Sequence, residues 1–174
     1  QTPGICEAAV KKCGISLKYV RDPVPWIQRL AVEENGDSLQ YVDPVDQTSE
    51  LCMIACKNWG SALKHVKEQI SEICGIAVST DPRAIKYLRD QNQTIELCEM
   101  AVKKDGLVLK YVLSQTPRIC LLAVQNCPMA LKYAKIQTPE IAMEAVKRNG
   151  LALKYLMTQS SEICLMAVRE NGLA

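Results

Sequence analysis

The feature that most constrains this chain is a sequence repeat with a period of 22 or 24 residues. All six tyrosines fall in one column of the repeat, and the single histidine fills the remaining position: Tyr19, Tyr41, His65, Tyr87, Tyr111, Tyr133 and Tyr155. An alanine recurs eight times in the same phase, at Ala9, Ala31, Ala55, Ala77, Ala101, Ala123, Ala145 and Ala167. A fixed period of this size is the signature of stacked supersecondary units, so the sequence predicts a repeat architecture.

Each unit reads approximately T-P-E-I-C-x-x-A-V-K-x-N-G-x-A-L-K-Y-V, which predicts two helices. In the seventh unit Thr138 suits the N-cap and Pro139 suits the first helical position. The apolar residues that follow recur at helical spacing. We expect Gly150 to end this first helix of about ten residues in the left-handed conformation of a C-terminal cap. Residues 151–156 contain no turn residue and predict a second helix of about two turns.

The predicted fold class is all-α, namely an α-solenoid of about eight helical hairpins, each with a long helix, a Gly or Pro break and a short helix. Because a ten-residue helix is not stable alone in water, each hairpin must bury its apolar stripe against its neighbours. We predict a single helical-repeat domain over 1–174, with units 1–22, 23–46, 47–68, 69–92, 93–114, 115–136, 137–158 and 159–174. The last unit is incomplete, and we expect its uncovered stripe to pack on another copy of the chain or on further repeats.

The charge balance and the cysteine count exclude several classes of protein. With 21 Lys and Arg against 19 Asp and Glu, the chain is neither a strongly basic nucleic-acid binder nor an acidic-tail protein. No apolar run approaches the roughly 20 residues of a membrane span, and the opening Gln1-Thr2-Pro3 does not begin a signal peptide, so we expect neither a membrane partner nor secretion. Nine cysteines cannot all be paired, and free thiols indicate a reducing compartment.

Six cysteines share one repeat column, which we interpret as small buried apolar residues: Cys6, Cys52, Cys74, Cys98, Cys120 and Cys164. In the third unit Cys56 and His65 replace the usual Val and Tyr, so Cys52, Cys56, His65 and Cys74 form a conceivable zinc set. Two of the four are ordinary members of the column, so we predict no metal and no cofactor. His65 is the only histidine available as a base for a cysteine nucleophile, and we predict no enzymatic activity.

A row of lysines precedes the tyrosine column and is one candidate binding surface: Lys18, Lys64, Lys86, Lys110, Lys132 and Lys154. The row is either a basic ridge for phosphates or an acidic partner, or a solvated face. Glutamates near the start of the first helices favour the solvated face. The tyrosines are interpreted either as core residues between hairpins or as an aromatic ladder for bases or sugars, and the core interpretation is favoured.

Trp26 and Trp59 lie outside the apolar stripe and are candidate anchors for a partner protein. Tryptophan dominates the binding energy of many protein interfaces. The alternative interpretation is that both side chains only cover local packing.

Two units resemble a known family of short repeats. The segments QTPEIAMEAVKRNGLALKYL (137–156) and QTPRICLLAVQNCPMALKYA (115–134) are similar to helical repeats of unknown function that are abundant in amoeba-infecting giant DNA viruses and occur in some bacteria. The resemblance covers essentially the whole chain and is weakest in the second and fourth units. It implies a helical-repeat protein of viral or host-interaction type, and it supplies no catalytic residue to carry over.

The sequence therefore predicts a non-enzymatic scaffold or protein-binding module, namely a structural or host-interaction protein of a giant virus whose protein partner is unknown. We expect it in the host cytoplasm or nucleus, or in the virion. The alternative function is binding of nucleic acid or an acidic partner through the lysine row.

Overall fold

The structure, a computed structural model, describes residues 2–172, and these contain helices and no strand. The α-helices are ten residues long and are α1 (Pro3–Lys12), α2 (Pro25–Glu34), α3 (Ser49–Asn58), α4 (Ser71–Thr80), α5 (Ile95–Lys104), α6 (Pro117–Asn126), α7 (Pro139–Arg148) and α8 (Ser161–Glu170). The prediction of an all-α fold built from consecutively packed helical hairpins is confirmed.

The second helix of each hairpin is a 3₁₀ helix of six residues, which at three residues per turn gives the expected two turns. These helices are Gly14–Tyr19, Gly36–Tyr41, Gly60–His65, Pro82–Tyr87, Gly106–Tyr111, Pro128–Tyr133 and Gly150–Tyr155. A further 3₁₀ turn, Asp90–Asn92, occupies one of the two longer linkers.

The chain divides into two compact units, Gln1–Asn92 and Gln93–Ala174. Within the first unit α1 to α4 pack side by side in chain order, and each of the first three 3₁₀ helices packs on the α-helices before and after it. The second unit repeats this arrangement with α5 to α8. The core of each unit therefore lies between successive hairpins.

Five of the eight α-helices, namely α3 and α5 to α8, start with the predicted side-chain cap. The Thr138 hydroxyl accepts a hydrogen bond from the amide of Ile141 at 3.3 Å, and Pro139 occupies the first helical position. The Thr116 hydroxyl accepts one from the amide of Ile119 at 3.2 Å in the same way. These contacts satisfy first-turn amides that have no partner within the helix, so each linker ends at a defined residue.

The expectation that Gly150 ends its helix in a left-handed conformation is wrong, because no glycine among the described residues has a positive φ. Helix α7 ends instead at Arg148, and the next residue, Asn149, is extended at φ −156°. The Asn149 side chain accepts a hydrogen bond from the amide of Leu151 at 3.0 Å. Gly150 is the first residue of the next 3₁₀ helix, and a methyl group on it would overlap the carbonyl oxygen of Ala167. Glycine is required here because two repeats approach closely.

The repeated alanine and cysteine columns form much of the core. Seven of the eight alanines are fully buried, and Ala9 in α1 is exposed because no described helix covers that side of α1. Five of the six column cysteines are buried as predicted, and Cys164 in α8 is half-buried. Cys13, which lies outside the column, is exposed.

A column of glutamines, which the sequence interpretation did not single out, joins successive repeats. The Gln115 Nε2 donates hydrogen bonds to the carbonyl oxygens of Leu109 at 3.1 Å and Tyr133 at 3.0 Å, and its Oε1 accepts one from the Lys135 amide at 2.8 Å. The same side chain recurs at the repeat period, two residues before each of the later α-helices, as Gln47, Gln69, Gln93, Gln137 and Gln159. Each of these bonds to the backbone of the preceding hairpin, of its own hairpin or of both, which fixes the linkers.

Candidate partner-binding site

Small grooves lie along the edge of each unit where the α-helices begin. In the first unit they lie between α1 and α2 and between α2 and α3, and in the second unit between α6 and α7 and between α7 and α8. Equivalent positions of the repeat form them, mainly the first turn of one helix and the linker that leads into the next. We call them the linker grooves, and their chemistry depends on the residues that vary between repeats.

The groove between α2 and α3 has a volume of about 230 Å³ and differs from the other three grooves in having a tryptophan in its lining. Its lining is Pro25, Trp26, Gln28, Arg29, Asp46, Thr48, Glu50, Leu51 and Ile54. The Trp26 side chain lies in the first turn of α2 and is 47% exposed, so it is open to a partner although it contributes to a concave surface.

The charged groups of this groove are arranged in two sets. The Arg29 guanidinium contacts the carboxylates of Glu33 at 2.9 Å and Glu50 at 2.8 Å, and these hydrogen bonds raise the pKa of Arg29. Gln28, which is 3% exposed, donates from Nε2 to Asp46 Oδ2 at 3.2 Å. The charge of Arg29 is thus balanced by two carboxylates, whereas the side-chain partner of Asp46 is a neutral amide.

The groove between α6 and α7 provides a direct comparison, because it is built from the same repeat positions. Arg118 occupies the position of Trp26 there. Ile136, which has the repeat position of Asp46, does not belong to the lining of this groove. The α6–α7 groove has a volume of about 600 Å³ and no aromatic side chain in its lining. The combination of an indole and an unbalanced carboxylate therefore belongs to the α2–α3 groove and is not a general property of the repeat.

Trp59, the second candidate anchor, lies in a different environment. It is the extended residue between α3 and the following 3₁₀ helix and is 36% exposed. A methyl group on Gly36 would lie 3.1 Å from both Cβ and Cε3 of Trp59, so the indole packs against the backbone of the preceding repeat. Local packing accounts for Trp59, and the structure does not bring it together with Trp26 in the lining of the α2–α3 groove.

The six lysines of the predicted row are exposed, and in five of them the ammonium lies over the ring of the adjacent tyrosine. Lys110 Nζ is 4.7 Å from the ring centre of Tyr111 and 5.9 Å from that of Tyr133, so it contacts two successive repeats. Five of the six tyrosines are half-buried and Tyr19 is 68% exposed, which differs from the expected core position. Contacts of this kind contribute about 0.5–1 kcal/mol at exposed sites.

His65 replaces the tyrosine of its repeat and faces a carboxylate. Asp37 Oδ1 lies 3.1 Å from Lys64 Nζ and 3.5 Å from His65 Nε2, and the latter distance is a charge contact without the geometry of a good hydrogen bond. Burial, followed by the positive charge of Lys64, lowers the pKa of His65 below its ordinary value. Both effects favour the neutral imidazole.

The conceivable zinc set does not converge. Among residues 2–172 no group of three His, Cys, Asp or Glu side chains is placed to hold a metal ion. Burial raises the pKa of Cys52 to about 11 and that of Cys56 to about 12, which disfavours the thiolate that zinc requires. None of the nine cysteines, which all lie within residues 2–172, forms a disulfide bond.

Helix α8 presents apolar side chains that its counterparts bury. Val168 is 51% exposed, whereas Val146 at the same position of α7 is fully buried against the next hairpin. Residues 173–174, where the eighth repeat stops, lie outside the described part of the chain. Association through terminal repeats stays a prediction.

In the described part of the chain, none of the helices has the length and apolar character that crossing a bilayer requires.

A family model described as a domain of unknown function (DUF4116) matches residues 116–160. The match runs from Thr116, the N-cap of α6, to Ser160, the N-cap of α8, so it covers two complete hairpins. No curated protein and no solved structure matches the chain.

Proposed function

We propose that this chain is a non-enzymatic helical-repeat scaffold that binds a protein partner through its linker grooves, with the α2–α3 groove as the main contact. The supporting observation is the half-exposed indole of Trp26 at the mouth of a preformed concave surface. A large, rigid side chain that is already positioned loses little conformational entropy on binding, and tryptophan is enriched among the residues that dominate interfaces.

The biological setting is also part of the proposal. The family match at residues 116–160 and the helical hairpins support a repeat protein of unknown function. We assign it to a giant DNA virus, as a structural or host-interaction protein in the host cytoplasm or nucleus or in the virion. The free thiols are compatible with a reducing compartment.

Quantitative affinity capture tests the proposed function. The wild-type chain, Trp26→Ala and Arg118→Ala are immobilised separately, and the proteins retained from an infected-cell lysate are compared by mass spectrometry. Arg118→Ala is the matched control because it alters the same repeat position in the α6–α7 groove. We expect a set of proteins that is lost with Trp26→Ala and kept with Arg118→Ala. Equal retention by all three chains would exclude the α2–α3 groove as the binding surface.

A second candidate function is binding of nucleic acid or an acidic partner through the lysine row. It is favoured by Lys110, whose ammonium lies against two tyrosine rings and remains exposed. Lysines that contact phosphates release counterions from the nucleic acid. The affinity for single-stranded RNA or duplex DNA would therefore fall steeply as the salt concentration rises. The absence of a gel shift at low salt would remove this candidate for nucleic acid.

A further inference from the structure

We infer that the α2–α3 groove binds a cationic side chain, Lys or Arg, from a basic segment of the partner protein. This inference rests on the proposed function and adds the chemical class of the ligand. It uses two features that the α6–α7 groove lacks, the Trp26 indole and the Asp46 carboxylate.

The shape of the groove suits one long side chain. Pro25, Leu51 and Ile54 supply apolar surface for the methylene stem of Lys or Arg, and Trp26 supplies an aromatic face for the charged end. Arginine and lysine bury their stems along such surfaces while the charge remains near water or a carboxylate.

The charges also favour a cation. Arg29 is held by Glu33 and Glu50, so its charge is compensated, and Asp46 has the neutral Gln28 amide as its hydrogen-bond donor. Residues 23–46, the repeat that contains α2, have one arginine and five carboxylates, which is a net charge of −4. A basic segment would therefore be attracted before contact and retained after it.

The competing possibility is an anion, because two helix N-termini point toward this edge and favour negative charge. Two backbone positions in the first turns of these helices have no N–H group available to bind an anion. Pro25 has no N–H, and the amide of Leu51 donates to the Thr48 hydroxyl at 3.2 Å. With Arg29 also compensated, the remaining charge of the lining is that of Asp46, and a cation is preferred.

The test is a titration followed by NMR. The chain has two tryptophans, so a ¹⁵N-labelled sample gives two indole N–H signals, which Trp26→Phe assigns. The probe is the peptide acetyl-GSLRLRSG-amide, and the matched peptides carry Gln or Glu in place of Arg. We expect the Arg peptide to shift the Trp26 signal in a saturable manner, with the Trp59 signal unchanged.

Two variants sharpen the result. Asp46→Asn keeps the shape and removes the charge, and it should weaken binding of the Arg peptide about tenfold, which corresponds to about 1.4 kcal/mol. Glu140→Gln changes a carboxylate of the α6–α7 groove and should leave the affinity unchanged.

Other outcomes overturn the inference. If the Gln peptide binds as tightly as the Arg peptide, the groove binds peptide without requiring a positive charge. If the Glu peptide binds more tightly, the groove binds an anion through Arg29. A Trp26 signal that moves with protein concentration alone would make a second copy the occupant. If no peptide shifts the Trp26 indole signal but protein capture is still lost with Trp26→Ala, the inference of a cationic ligand is wrong and the proposed function stands. If capture is also independent of Trp26, the proposed function fails with it.

Discussion

The backbone of Gly106 lies so close to the carbonyl oxygen of Ala123 that a methyl group on Gly106 would overlap that oxygen. This contact joins two successive repeats, since Gly106 begins a 3₁₀ helix and Ala123 lies in the following helix α6. The same relationship links Gly60 to Ala77 in the first unit. The glycine and alanine columns are therefore two sides of one stacking contact.

Replacing Gly106 by alanine should destabilise the chain by about 1–3 kcal/mol, because the obstacle is a backbone atom that cannot rotate away. Gly75 is the matched control. It lies inside α4 with no atom within 4 Å of an added methyl group, so Gly75→Ala should stabilise by about 0.5–1 kcal/mol through higher helix propensity. Urea unfolding followed by circular dichroism measures both changes, and a shift of the same sign for the two variants would refute the stacking contact.

Substituting Gln115 by alanine should cost about 2–4 kcal/mol. It leaves the carbonyl groups of Leu109 and Tyr133 and the amide of Lys135 without their hydrogen-bond partner, and each unmet group costs about 1–3 kcal/mol unless water reaches it. The control is Gln125→Ala at an exposed position of α6, where we expect a change within about 0.5 kcal/mol. Equal urea midpoints for the two variants would show that the glutamine column does not hold the repeats together.

The sequence predicts the hairpins because most units carry local signals for the start of a helix. The threonine cap, the proline at the first helical position and the apolar stripe act within one helix, so Thr138 and Pro139 are assigned correctly without knowledge of the neighbours. The role of Gly150 is assigned wrongly because the reason for glycine there is a carbonyl group of the next repeat. A contact between repeats leaves no trace in the pattern of one helix.

Only part of the candidate site can be predicted from the sequence, because contacts between repeats complete it. Trp26 is recognisable as an aromatic residue outside the stripe, but Asp46 belongs to the next linker and joins the groove only after stacking. The glutamine column has a plain signal, a recurrence at the repeat period just before each cap. Its meaning depends on burial, because a polar residue in a linker is ordinarily exposed, and Gln115 is half-buried once the next hairpin covers it.

Alkaline pH should destabilise the chain through Cys56. Burial raises its pKa from 9.0 to about 12 in the folded state, so the unfolded chain loses this proton first as the pH rises. The stabilisation is complete below pH 9 and is lost between pH 9 and about 12, by up to about 1.4 kcal/mol per pH unit from this residue.

The matched variant is Cys56→Val, since valine occupies this position in the other repeats. We expect its urea midpoint to fall less between pH 8 and pH 11 than that of the wild-type chain. Parallel pH profiles for the two proteins would contradict the buried neutral thiol.

Acid should destabilise the chain through His65. The pKa of His65 is lowered in the folded state by burial and then by the charge of Lys64. Its contribution to the free energy of unfolding is therefore present above pH 6.5 and is lost as the pH falls below that value. The replacement His65→Tyr restores the residue of the other repeats and should reduce the loss of stability on acidification. The single imidazole can be titrated by NMR, and a pKa above 6.5 would mean that attraction to Asp37 outweighs burial.

The most direct test of the account is photo-crosslinking at two positions. A benzoylphenylalanine residue is placed at position 54, in the α2–α3 groove, or at position 132, in the lysine row, and each protein is irradiated in an infected-cell lysate. We predict a discrete protein adduct from position 54 that is lost when Trp26→Ala is added, and no adduct from position 132. Adducts from position 132 alone, with protein or nucleic acid, would contradict a partner-binding groove at Trp26.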